Sequence, residues 1–193
     1  MFRKLLGVAL VLALSPAFAG DLSYNYIELG LQKAELDDDL AGFDFDGDGY
    51  GIRGAFELNE NWFIPVSYGT LDFDFGVDLD QLSAGIGYHD DLSNGTDFFV
   101  TLSYLRAEVS ASGFTPVEED GFEATLGVRG MLTESVELTG SIGYADLGDG
   151  ADGTTINAGA LYSFSENFAL GLEVDFDEDV TIYGVGARFY FGN

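Results

Sequence analysis

Cysteine is absent from this 193-residue chain, and cations are scarce, since seven Lys and Arg residues stand against 34 Asp and Glu. Without cysteine the chain has no disulfides and no thiol nucleophile. Nucleic acid is excluded as a natural partner, because phosphate recognition depends on clustered Lys and Arg. Imidazole is limited to one residue, His89, and no Ser-His-Asp set surrounds it. We therefore predict that the protein is not an enzyme and carries no cofactor.

Long apolar runs are equally scarce, because the chain has one, at residues 5–14. Arg3 and Lys4 precede this run and Ala17-Phe18-Ala19 follows it, which is typical of a secretory signal peptide with its cleavage site. Ten apolar residues are too few for a helix that crosses a bilayer, which needs about 20. We predict a signal peptide at residues 1–19 and one mature domain at residues 20–193.

Apolar and polar residues alternate with a period of two along nearly the whole mature chain, which is the pattern of β-strands. The pattern predicts an all-β protein with ten strands, at roughly 22–34, 48–58, 62–72, 80–89, 97–108, 121–132, 136–146, 154–164, 168–176 and 180–191. Tight polar turns at 59–61, 133–135 and 165–167 alternate with longer, acidic connectors at 35–47, 73–79, 109–120 and 146–153. Short turns at one end and longer loops at the other are typical of an up-and-down transmembrane β-barrel.

The alternation places bulk on one face of each strand and small or charged residues on the other. Leu102 and Leu170 represent the bulky face, and Gly85 and Ser141 the small one. A soluble barrel would crowd its lumen with the aromatic rings and expose glycine to water. The opposite orientation, with the apolar face toward lipid, removes both difficulties. Aromatic residues also gather at both ends of the strands, as in the girdles at membrane interfaces, although a soluble β-protein remains the alternative.

Three segments carry a resemblance to a known family: YNYIELG at 24–30, YGIRGAFELNENW at 50–62 and YGVGARFYF at 183–191. The chain resembles the small outer-membrane β-barrel proteins of Gram-negative bacteria, of the OmpA and opacity types. The resemblance implies an antiparallel barrel in the outer membrane, with eight strands as an alternative to ten. It also implies an assembly signal at Gly186, Phe189 and Phe191, which the barrel-assembly machinery would bind.

Charged residues on the predicted inner face have candidate partners on neighbouring strands. We expect Arg53 and Arg188 to pair with Glu28, Arg188 with Glu173, and Arg129 with Glu137, because interior charges must be paired or hydrated. These residues would either fill the barrel with ion pairs or line a narrow water path. Ten strands lie nearer to the filled eight-stranded barrels than to the open sixteen-stranded ones.

Two cations, Lys33 and Arg106, instead continue the lipid-facing set at the loop end of their strands. Both are placed to contact the phosphates of lipopolysaccharide. The alternative is that these long side chains simply extend toward water at the membrane rim.

The stretch FDFDGDG at 43–49 spaces three aspartates, Asp44, Asp46 and Asp48, like the start of a calcium loop. An EF-hand also requires a Glu at position 12 of the loop, where this chain has Ala55, and two flanking helices. The stretch is therefore not an EF-hand. We predict an acidic, solvated loop that binds divalent cations weakly and collectively.

Together these features predict an exported, integral outer-membrane β-barrel with an envelope-structural or surface-interaction role. A narrow, porin-like passive diffusion channel is the alternative. The expected partners are outer-membrane lipid, lipopolysaccharide and the barrel-assembly machinery.

Overall fold

The chain forms a closed antiparallel barrel in which each strand pairs with the next and β1 pairs with β10. The computed structural model describes residues 22–36, 46–93, 95–148, 152–177 and 180–192. The strands are β1 Tyr26–Leu36, β2 Asp46–Glu57, β3 Trp62–Phe73, β4 Val77–Ser93, β5 Thr96–Ala111, β6 Val117–Thr133, β7 Val136–Asp146, β8 Asp152–Ser165, β9 Phe168–Phe176 and β10 Val180–Tyr190. A 3-10 turn at Asp74–Gly76 joins β3 to β4. Within these ranges no helix has the length and hydropathy to cross a membrane.

The predicted all-β, ten-stranded barrel is confirmed, and the eight-stranded alternative is wrong. Several strand boundaries differ from the prediction. The first strand begins at Tyr26 rather than at residue 22, so residues 22–25 precede the barrel wall. The external segments predicted at 73–79 and 109–120 are mostly strand, because β4, β5 and β6 continue beyond their expected ends. The predicted signal peptide lies outside the described residues.

The polarity of the two faces of the barrel wall is the reverse of that in a soluble barrel, because the outer face is apolar and the inner face is polar. Leu102 and Leu172 on the outer face are 56% and 66% exposed, whereas Arg129 and Glu137 on the inner face are only 5% and 4% exposed. The outward leucines would be unfavourable in water, where such a continuous apolar surface aggregates. A hydrocarbon environment is the solvent that this outer face fits.

Aromatic rings form the ends of the outer face. At the turn end, the ring of Tyr88 lies 5.2 Å from that of Trp62 and 6.0 Å from that of Phe98. At the loop end, the Tyr68 hydroxyl donates to Asp80 Oδ1 at 2.8 Å, and the Tyr104 hydroxyl donates to Asp120 Oδ1 at 2.6 Å. These tyrosines meet the apolar band on one side and a polar layer on the other, as interfacial aromatics do.

Small residues on the inner face allow close approach between strands. A Cβ added to Gly85 would lie 2.2 Å from the Leu102 carbonyl oxygen, which is far inside van der Waals contact. Gly85 is therefore required by the backbone, so it is a poor site for a conservative control substitution, whereas Ser141 already carries a Cβ.

The inverted orientation predicts that a charge on the outer face is costly. Leu102→Arg or Leu170→Arg should lower the free energy of unfolding in lipid by about 2–4 kcal/mol, because each places a cation near mid-bilayer. Ser141→Ala, on the inner face, should have a much smaller effect. Denaturant titrations of the barrel refolded into vesicles measure these differences, and two neutral leucine variants would contradict the orientation.

Candidate functional site

The inner face near the turn end holds two buried ion pairs that share a glutamate. Arg129 on β6 donates to Glu137 on β7 through both Nε and Nη2, at 2.9 and 3.1 Å. Arg188 on β10 lies 3.6 Å from Glu137, measured from Nη1 to Oε1. The Tyr190 hydroxyl donates to Glu137 Oε2 at 3.3 Å. The Glu137 carboxylate is therefore saturated by two guanidinium groups and a phenol.

The same network continues toward the loop end. Arg188 Nε donates to Glu28 Oε2 at 2.6 Å, and Glu28 also accepts from Arg53. Arg53 Nη1 lies 2.7 Å from Glu173 Oε2. Cations and anions alternate along this chain of six side chains. Alternation offsets the cost of desolvating charges that are buried in a narrow lumen.

The structure brings together all six residues that the sequence predicted as interior ion pairs, with one different partner. Glu173 contacts Arg53 rather than Arg188. The register explains the difference, because Arg188 lies opposite Ala169, four residues along β9 from Glu173. Four residues of strand correspond to about 13 Å, beyond direct contact. Arg53 instead reaches Glu173 across the lumen, past β1 and β10.

Tyr24 enters the barrel at the turn end, although it lies before the first strand. It is 2% exposed. Its ring stacks on His89 with centroids 3.8 Å apart and lies 4.7 Å from the ring of Phe63. The Arg129 guanidinium covers the ring at 4.5 Å. Burial raises the pKa of the Tyr24 phenol, and the nearby Arg129 charge opposes that shift only in part.

The segment that carries Tyr24 is tied to the barrel wall by Glu57 at the end of β2. Glu57 Oε1 accepts from the Tyr24 backbone N–H at 2.9 Å, and Glu57 Oε2 accepts from Asn25 Nδ2 at 2.7 Å. The Glu57 N–H donates in return to Asn25 Oδ1 at 2.9 Å. Deeper in the lumen, Arg129 Nη1 donates to the Ser23 carbonyl at 3.4 Å. We call residues 23–25 the plug segment.

A cavity of about 290 Å³ lies beyond the plug segment, toward the loop end, and Tyr24, Arg53, Thr101, Glu123 and Asp175 are among its lining residues. A second cavity of about 240 Å³ shares Thr155 and Asp175 with it and continues toward the loop end. A third, of about 300 Å³, lies at the turn end and is lined by Ser23, Glu137 and Tyr190, among others. One layer, built from Tyr24 and the Arg129–Glu137–Tyr190 group, separates the first cavity from the third.

The other sequence-predicted sites lie away from this interior. Lys33 pairs with Glu35 at 3.1 Å and with Asp46 at 3.3 Å. Arg106 contacts Glu118. The two rim cations are therefore already engaged by carboxylates of the same chain.

Only part of the stretch that was predicted to bind divalent cations lies within the described residues. Asp46 and Asp48 lie within β2, and Asp44 lies outside the described residues. Within the described part of the chain, no three His, Cys, Asp or Glu side chains form a group that could hold a metal ion.

The predicted assembly signal lies on β10 and just after it. Phe189 points outward and is 54% exposed, and the ring of Phe191 lies 5.8 Å from that of Phe56. Gly186 faces inward, where an added Cβ would lie 2.8 Å from Glu28 Oε1.

Sequence reasoning missed the plug, although a signal was present. Most inward-facing positions carry small or charged residues, but six near the turn end carry a bulky ring. These six residues are Tyr24, Tyr26, Phe63, His89, Phe99 and Tyr190. Bulky rings at the alternate positions that face inward, near one end of a barrel, indicate a small packed core at that end.

Comparison with known proteins agrees with this geometry. A family model described as outer membrane protein beta-barrel domain matches residues 5–164. The chain belongs to this family. It is therefore an outer-membrane β-barrel protein, with the turn end on the periplasmic side and the loop end outside the cell. No curated protein sequence matches the chain.

Solved structures share the fold at low sequence identity. The translocator domain of the autotransporter NalP from Neisseria meningitidis is 13% identical, with a TM-score of 0.54, over 98% of this chain and 94% of that one. An outer membrane channel from Pseudomonas putida F1 is 11% identical, with a TM-score of 0.54, over 92% and 99%. Neisserial surface protein A is 17% identical, with a TM-score of 0.48, over 88% and 98%. The two likenesses with a TM-score of 0.54 concern the fold alone.

The buried network predicts unequal costs for removing arginines. Arg129→Met should destabilise the barrel by about 3–5 kcal/mol, because Glu137 loses its bidentate partner in a buried site. Arg106→Met, which removes an exposed Arg–Glu pair, should have a much smaller effect. Unfolding titrations in the same vesicles compare the two variants, and equal costs would contradict the account of the interior.

Proposed function

We propose that the protein is a non-enzymatic outer-membrane barrel that presents an extracellular β-sheet for surface interaction. The observation that carries the proposal is the length of three adjacent strands. β4, β5 and β6 have 17, 16 and 17 residues, whereas β1, β7 and β10 have 11 and β9 has nine. Since about 9–11 residues suffice to cross the membrane, each long strand exceeds a crossing by roughly 20 Å of strand. Part of this excess lies at the turn end, where β4 continues past Tyr88 to Ser93, and the rest projects at the loop end.

The projecting sheet has two different faces. Its outer face is acidic and carries Asp78, Asp80, Glu108, Glu118 and Asp120, which continue the outward register of the strands. Its other face is less charged and includes Val109 and Val117, which are 45% and 57% exposed, although Glu119 lies in the same register. Phe114, in the turn between β5 and β6, is 80% exposed. Exposed apolar surface rimmed by charge is a common feature of protein interaction sites.

Among the residues that the structure describes, the outer part of β6 has no strand paired with it on the β7 side. Pairing between β6 and β7 begins at Phe122 and Asp146, so residues 117–121 of β6 extend past the last residue of β7. An extended strand edge presents unpaired backbone groups that a partner strand can use. This edge, the less charged face and Phe114 lie together at the outer tip of the molecule.

Closure of the lumen supports a surface role over the alternative of a narrow passive channel. Tyr24 and the paired arginines separate the inner cavities from the periplasmic mouth. A purified wild-type barrel in planar bilayers should therefore pass no steady ionic current at rest. A steady wild-type current would favour the passive channel instead.

Two partners in the cell envelope belong to the same proposal. We propose lipopolysaccharide as the lipid neighbour of the external tyrosine girdle, and the barrel-assembly machinery as the partner of the segment that contains Gly186, Phe189 and Phe191. Since Lys33 and Arg106 are engaged by carboxylates, we expect them to contribute little to phosphate binding.

Removing the apolar tip tests the surface role. Cells that display Phe114→Ser together with Val117→Ser should lose most of their adherence to immobilised proteins and to one another. Thr115→Ser, in the same turn, preserves the apolar surface and should leave adherence unchanged. Adherence is compared at equal surface amounts of barrel. If the double variant adheres as wild type does, the proposal is wrong.

A further inference from the structure

The periplasmic closure of the lumen has two halves of different origin. On one side, Arg129, Glu137, Arg188 and Tyr190 all belong to wall strands. On the other side, next to β3, β4 and β5, the space is filled by Tyr24, which packs with Phe63 and Phe99. A ten-stranded barrel is wider than the eight-stranded barrels that side chains just fill. Here the additional space is occupied by a segment that is not part of the wall.

Most of the hydrogen bonds that hold this segment lie near the surface. Three join the plug segment to Glu57 at partly or fully exposed positions, where water competes for the same groups. A fourth runs from the Phe191 N–H to the Asn25 carbonyl at 3.1 Å. The bond from Arg129 to the Ser23 carbonyl is long, at 3.4 Å. His89 Nε2, which lies beneath the Tyr24 ring, is buried without a hydrogen-bonding partner among the described protein groups. Such an atom makes the seated state less stable than its ring contacts alone would imply.

Withdrawal of Tyr24 would open the side of the layer next to β3, β4 and β5, between the inner cavity and the turn end. The inner cavity of about 290 Å³ is lined by Tyr24 itself, and the periplasmic cavity is lined by Ser23 of the same segment. The inner cavity continues toward the loop end through Thr155 and Asp175. The wall half of the closure does not depend on the plug, because Glu137 and Glu28 still engage Arg129 and Arg188.

The charges along this route favour cations. Arg53, Arg129 and Arg188 each contact a glutamate. Two further carboxylates line the same cavity, and each contacts a neutral side chain. Glu123 accepts from Thr125 at 3.4 Å, and Asp175 accepts from Asn157 Nδ2 at 2.8 Å. The lumen thus holds carboxylates in excess of its arginines, and a narrow passage of one sign concentrates ions of the other.

We propose that residues 23–25 are a displaceable plug, and that their withdrawal opens a path for small cations through the barrel. This inference is independent of the surface role, because the plug and the external sheet lie at opposite ends of the strands.

Planar-bilayer recordings across a potassium chloride gradient test the proposal. Tyr24→Ala should give a steady current with a reversal potential near that of potassium, where wild type gives none. Tyr162→Ala is the matched control, since it removes a tyrosine that is 50% exposed on the lipid-facing side and should stay silent. A folded but silent Tyr24→Ala barrel overturns the plug, and a reversal potential near that of chloride overturns the cation path.

A second variant covers the case in which Tyr24→Ala fails to fold. Asn25→Ala with Glu57→Ala removes the side-chain ties but keeps the Tyr24 ring. This barrel should open intermittently, with brief currents of the same ion selectivity. A barrel that remains closed at all applied voltages would show that these ties do not hold a movable plug.

Thiol labelling gives a readout that does not depend on current. The chain has no cysteine, so Thr101→Cys places a single thiol in the inner cavity. A bilayer-impermeant maleimide added on the periplasmic side should label this thiol many times faster when Tyr24→Ala is also present. Equal labelling rates with and without Tyr24 would overturn the proposal, while leaving adherence of the external sheet unaffected.

Discussion

The interior of this barrel depends on one constraint: its apolar residues face outward, so the charged residues inside must neutralise one another. Arg129, Glu137, Arg188, Glu28, Arg53 and Glu173 meet this constraint by alternating in sign along a continuous chain of contacts. Each internal carboxylate in this chain contacts at least one guanidinium group. Removing Arg129 deprives the buried Glu137 of its bidentate partner, which is costly in a buried site. The glycines and serines between these residues provide the space that the long side chains occupy.

The strand number sets a second requirement, because ten strands enclose more space than the ion-pair network fills. The segment before β1 fills the remaining space. Tyr24 brings a ring into the half of the lumen next to β3, β4 and β5, where Phe63, His89 and Phe99 form its seat. The closure therefore combines a fixed part, made by the wall, with a part that the chain supplies from outside the wall. At the other end, three strands exceed the length of a membrane crossing, so the proposed closure and the proposed interaction sheet lie at opposite ends of the barrel.

Much of this structure could be predicted because, along each strand of a transmembrane barrel, residues that face lipid alternate with residues that face the lumen. The alternation of residues such as Leu102 with Ser103 identifies the faces, and the spacing of the turns gives ten strands. The same alternation places Arg53, Arg129 and Arg188 inside.

The pairing of Glu173 could not be predicted, because Arg53 reaches it across the lumen, and local register says nothing about distance across a barrel. Tyr24 was missed because residues 22–25 continue the alternating pattern although they leave the wall. The sequence underestimates the lengths of β4, β5 and β6 because the acids at 78, 118 and 120 look like loop residues once the membrane-facing pattern ends.

The most direct test of the central claim uses the single tryptophan of the chain, Trp62, which lies on the outer face at the turn end and is 42% exposed. Its fluorescence is measured in barrels refolded into vesicles that contain lipids brominated at different depths of the acyl chain. An inverted barrel predicts quenching that is strongest for bromines near the headgroups and weakest for bromines at the bilayer centre, because Trp62 belongs to an interfacial girdle. Fluorescence that no brominated lipid quenches would contradict the inverted orientation, and with it the account of the closed, charge-paired interior.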